Sequence, residues 1–126
     1  MKKVFVVLVL LLLALSGCKS VTQNLSDNGY RELRGGELQS MVSDVVVDSG
    51  SWKDTFHADG SMAGTNSHGS SYSGKWQINP DGKLCVKSAN QYINGCTKIF
   101  IHDKSNKVAW IEAYGTKYNV TLSKAP

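Results

Sequence analysis

The feature that most limits what this chain can become is the spacing of its turn signals. Beyond Val45, apolar and polar residues alternate in runs of four to eight residues, separated by clusters of Asp, Gly, Asn and Ser. Such runs read as short strands whose side chains point to opposite faces in turn. They are Val45 to Asp48, Ser51 to His57, Ser61 to Gly64, Ser71 to Ile78, Lys83 to Val86, Cys96 to His102, Lys107 to Ala113 and Lys117 to Leu122. Parallel pairing would need crossovers of about a dozen residues, and the connections are too short for them. Sequential strands are therefore expected to pair antiparallel.

Individual turns carry the same message. Asp59-Gly60 tolerates the positive φ of a tight hairpin. Asn79-Pro80-Asp81-Gly82 puts proline where φ near about −65° is wanted and glycine where a left-handed residue is wanted. Asp103-Lys104-Ser105-Asn106 is a weaker version. Leu38, Met41, Val42 and Val45 fall at i, i+3, i+4 and i+7, which predicts one short helix from Glu37 and no other. The expected fold is mainly β, a small antiparallel meander that is barrel-like or a sandwich, with one short N-terminal helix.

Parity assigns the core. Tyr72, Gly74, Trp76 and Ile78 share one face, as do Trp52 and Phe56 on an earlier run. Ile99 and Ile101 oppose Phe100, and Trp110 is flanked by Ala109 and Ile111, so these two strands are expected to be buried on both sides. Tyr118, Val120 and Leu122 give a final half-buried strand. We read the aromatics as core and not as a carbohydrate platform of Trp52, Trp76 and Trp110, since their neighbours in phase are apolar.

Ahead of this region lies an export signal. Lys2 and Lys3 precede an apolar run from Val4 to Leu15, too short to span a bilayer of ~30 Å. Residues 1–17 are expected to be removed, which leaves length for one domain and excludes a multidomain enzyme or a polytopic membrane protein. The net charge of +4 includes both leader lysines, so the mature chain has little basic excess and no expected nucleic-acid role.

Leu15-Ser16-Gly17-Cys18 resembles the lipobox of bacterial lipoproteins. The resemblance implies cleavage before Cys18, acylation of its sulfur and new amino group, and a lasting hold on the bilayer. Lys19, in place of the Asp that often marks retention at the inner membrane, favours the outer membrane facing the periplasm. Residues 18–36 are polar, lack a sustained period and end in Gly35-Gly36, so they read as a lipidated flexible tether before a β-domain over 37–126.

With Cys18 acylated, Cys85 and Cys96 are an even pair in an exported chain and are expected to form a disulfide worth about 3 kcal/mol. Their spacing fits neither a redox motif nor a zinc pattern. Gly74-Lys75-Trp76, Asp81-Gly82-Lys83-Leu84-Cys85 and Cys96 resemble a G-x-W, D-G, L-C and second-cysteine pattern of small exported bacterial β-proteins. Those families mostly lack an assigned activity.

No catalytic constellation emerges. His57, His68 and His102 show no metal spacing, and the Ser/Gly-rich stretch from Gly64 to Ser71 lacks a nucleophile elbow. Asp54, Asp59, Asp81, Asp103 and Glu112 are the carboxylates available for glycoside chemistry, and all of the aspartates but Asp54 lie in or beside turns. The expectation is a non-catalytic, cofactor-free binding or accessory protein of the cell envelope, with the bilayer and an envelope protein as partners. Contacts are expected from Thr65 to Ser71 and from Ser88 to Gly95, the latter with Tyr92 and Ile93 as apolar anchors. The alternative is an inhibitor or immunity protein against a hydrolase such as a lysozyme. Ala113 to Tyr118 resembles a stretch of some lysozyme-inhibitor lipoproteins, although the cysteine placement departs from theirs.

Overall fold

A computed structural model describes residues 19–126; the leader, the lipobox and Cys18 lie outside the described residues. Each of the eight anticipated runs is a strand: β2 Val45–Asp48, β3 Lys53–Phe56, β4 Ser61–Thr65, β5 Ser71–Ile78, β6 Leu84–Ser88, β7 Gly95–His102, β8 Val108–Ile111 and β9 Lys117–Lys124. They pair antiparallel in chain order, and β9 returns to β2 through Val45↔Lys124 and its neighbours. The meander thus closes into an eight-stranded barrel, which settles the choice between barrel and sandwich. Closure leaves no long unpaired edge among these strands.

The stretch expected to be a tether is, from Val21, part of the fold. Helix α1, Val21–Asp27, is capped by Ser20, whose Oγ accepts from the Gln23 amide at 3.2 Å. A ninth strand, β1 Tyr30–Leu33, pairs with the second half of β7, from Tyr30↔His102 to Leu33↔Ile99. Since β8 occupies the other edge of β7, β1 and β6 lie one after the other along the same edge. The prediction of a single helix fails for the same reason. Leu25 and Leu33, too sparse to show a period, are each anchored by tertiary contacts.

Those contacts explain the double burial of β7 and β8. Inward residues Ile99, Val108 and Trp110 join the barrel core, while Phe100, Ala109 and Ile111 face outward and are covered by Leu25 of α1. Helix α2, Gly35–Val42, begins two residues before the expected Glu37 and ends before Asp44. It contacts both β2 and β5, strands three apart around the barrel, and so lies across one end with Leu38 and Val42 fully buried in the core. Gly82 makes this seat possible. Its carbonyl accepts from the Gly35 amide at 2.9 Å, and a Cβ there would stand 3.0 Å from that nitrogen at a φ of +82°.

Cys85 and Cys96 are directly opposed on β6 and β7, with Cα atoms 4.0 Å apart, and form the disulfide. Both lie outside the buried core, so the bond acts as a clasp between strands and not as core packing. Reduction should lower the unfolding free energy by about 3 kcal/mol. Denaturant midpoints with and without reductant test this, and coincident midpoints would deny the bond a stabilising role.

Candidate functional site

Strand direction sorts the connections into two groups. The turns near residues 57–60, 79–82 and 103–106 share the end closed by α2, whereas residues 49–52, 66–70, 89–94 and 112–116 surround the opposite end. That end opens on a cavity of about 320 Å³, a size that suits one small molecule. A larger groove of about 830 Å³ runs along β8 and β9 beside Met41. Among the described residues its lining holds no carboxylate and no histidine, whereas the smaller cavity is lined by Asp54 and Glu112.

The floor and wall of that cavity come from inward positions of the strands. On β3, Asp54 lies between Trp52 and Phe56 in the alternation and is only 7% exposed. It faces Gly64 of β4, which in turn faces Tyr72 of β5. Lacking a side chain, Gly64 lets the Tyr72 ring cross the intervening strand, and the Tyr72 hydroxyl donates to Asp54 Oδ1. A Cβ at Gly64 would collide with that oxygen and with the Tyr72 ring. Glu112 continues the inward parity of Val108 and Trp110 past the end of β8 and also lines the cavity.

Burial governs the ionisation of this set. Desolvation pushes the Asp54 carboxyl up to about 6 against the hydrogen bond from Tyr72, which favours the charged form. Glu112 is pushed up to about 7, first by burial and then by the charge of Asp54. Burial, followed by the Asp54 hydrogen bond and charge, drives the Tyr72 phenol well above the ordinary range. Among the described residues neither carboxylate enters an ion pair. Two carboxyls raised by burial and converging on one cavity make this the candidate functional site.

Aromatic rings complete the wall. Trp52 packs edge to face on Tyr118, with centroids 5.4 Å apart and planes at 80°. Tyr92 and Tyr114 stand on the rim, 71% and 70% exposed. The rim is pinned by local bonds: Asn90 Oδ1 accepts from the Tyr92 amide at 3.0 Å, and the Tyr114 hydroxyl donates to the Gln91 carbonyl at 3.1 Å. On the neighbouring loop, Asn66 Oδ1 accepts from the amides of His68 and Ser70, both at 3.0 Å.

The two loops singled out from the sequence thus meet at one end of the barrel. The proposed anchors separate, however: Tyr92 is exposed on the rim, whereas Ile93 packs against the core. Trp76 and Trp110 are buried and Trp52 alone of the tryptophans lines the cavity, so no three-tryptophan platform exists. The structure brings Asp54 and Glu112, which the sequence reading did not link, to one cavity. The signal was present, since both share parity with core aromatics. Among the described residues no group of His, Cys, Asp and Glu is arranged for a metal. No family model, curated protein or solved structure matches the chain.

Proposed function

We propose that this chain is a lipid-anchored envelope protein that binds a partner, without catalysis, through the open end of its barrel. The observation that carries this reading is the asymmetry of the two ends. One is stoppered by Leu38 and Val42 of α2, and the other gathers four connections around a cavity with an exposed aromatic rim. A well closed at its floor seats a small ligand or a protruding group, whereas a polymer substrate needs a groove it can lie through. The anchor rests on Leu15-Ser16-Gly17-Cys18, and the bilayer would hold the barrel within the periplasm at the outer membrane.

A second reading, inhibition of a hydrolase such as a lysozyme, draws on the same end. The stretch Ala113 to Tyr118 forms part of the rim through Tyr114 and Thr116, where it could enter an enzyme's cleft.

Two measurements test the proposal. Palmitate-analogue labelling should mark the wild type and miss Cys18→Ala, which should also leave the membrane fraction; equal labelling would remove the anchor. The full-length chain should capture an envelope component from extracts, and Tyr92→Ser with Tyr114→Ser should lose that capture with little change in melting temperature. Undiminished capture by this rim variant would move the binding surface elsewhere, and capture of a hydrolase would select the second reading.

A further inference from the structure

We propose that the open end receives a small organic cation, its ammonium group placed between Asp54 and Glu112 and its carbon substituents against Trp52 and Tyr118. This rests on the reading of that end as the binding site and adds the chemical class of what it binds. The cavity sets the size and the aromatic walls set a demand for apolar or cationic surface. The two carboxylates decide between these.

Asp54 is more than nine-tenths buried, yet only one of its oxygens is engaged, by Tyr72. No side-chain oxygen of the described residues is both sealed from solvent and unpartnered. Asp54 Oδ2, which takes no hydrogen bond among the described residues, therefore opens on the cavity that its residue lines. Glu112 reaches the same space from the other side of the barrel. Among the described residues, no lysine, arginine or histidine lines the cavity.

A neutral ligand filling this space would strip the remaining water from both carboxylates and offer no countercharge. That makes the complex costly. A cation supplies the missing partner and replaces the lost water in one step. Anionic ligands are excluded by the same charges. Trp52 and Tyr118, packed edge to face on each other, line the same cavity and add aromatic surface to the carboxylates. Asn66 and Asn90 at the rim leave room for a polar substituent pointing outward.

The test uses the full-length chain purified in a neutral maltoside detergent, titrated at pH 8 by calorimetry and tryptophan fluorescence. Probes are n-butylammonium and tetramethylammonium chloride, with butan-1-ol as an uncharged counterpart and N-acetylglucosamine as a neutral sugar. At least one cation should bind about tenfold or more tightly than butan-1-ol, and Asp54→Asn and Glu112→Gln should each weaken it by about tenfold. Both variants are isosteric, and melting curves verify that they fold.

Equal affinity for the alcohol, preference for the sugar, or cation binding indifferent to both substitutions would overturn the inference. Binding by none of the four probes would overturn it as well. Each of these leaves the binding role of the open end intact if the rim variant still loses its partner, so the two failures are told apart.

Discussion

Replacing Gly64 with valine should destabilise the barrel by on the order of 3–5 kcal/mol, combining an overpacked interior with the loss of a hydrogen bond to a buried carboxylate. Asp54, Gly64 and Tyr72 lie side by side on three neighbouring strands, all inward. A side chain at the middle position has nowhere to go, because the Asp54 oxygen and the Tyr72 ring fill the space above it. Valine is otherwise a favourable strand residue, so loss of stability would isolate the packing conflict. Ala63→Val, on the exposed face of the same strand, is the control and should leave the denaturant midpoint nearly unchanged. If Gly64→Val and Ala63→Val unfold at the same midpoint, Tyr72 does not cross β4 as described.

The second large effect changes with pH. Asp54 stands at about 6 in the folded chain against an ordinary 3.8, and Glu112 at about 7 against 4.5. Folding therefore holds protons that the unfolded chain releases. The contribution of these two groups to stability is greatest below about pH 4 and is lost as pH rises from there through about 6 to 7, where the buried carboxyls must ionise. Asp54→Asn removes Asp54's share of this loss, about half. At pH 8 it should raise the unfolding free energy by about 3 kcal/mol and the melting temperature by on the order of 10 °C. At pH 3.5 the variant and the wild type should nearly coincide, because the native carboxyl is then already neutral. A destabilisation of equal size at both pH values would mean that burial is not straining this group.

These two predictions describe one device from opposite directions. Gly64 makes space for Tyr72 to hold Asp54, and burial keeps the held carboxyl poorly solvated in a site that opens to one side only. A protein selected for stability alone would place an apolar residue at this inward position between Trp52 and Phe56. The stability forgone there has a use if a ligand supplies the charge that the barrel withholds, which links the pH dependence of the unliganded chain to the cation proposed for its mouth.

Alternation, turn chemistry and connection length determined all eight barrel strands and their antiparallel order, because each is a local property of a dozen residues or fewer. Parity also placed Trp76, Phe56 and Trp110 in the core, and the even cysteine pair determined the clasp between β6 and β7. Tertiary structure decided what depends on distant contacts. Closure of β9 on β2 joins residues nearly eighty positions apart, and α1 and β1 exist because Leu25 and Leu33 find partners on β7 and β8 and in the barrel core. No local period announces such an element. The site is the strongest case. Asp54, Tyr72 and Glu112 lie on separate strands or at their ends, and only the curl of the sheet brings them to one cavity, where exclusion of water gives ordinary carboxylates an unusual chemistry.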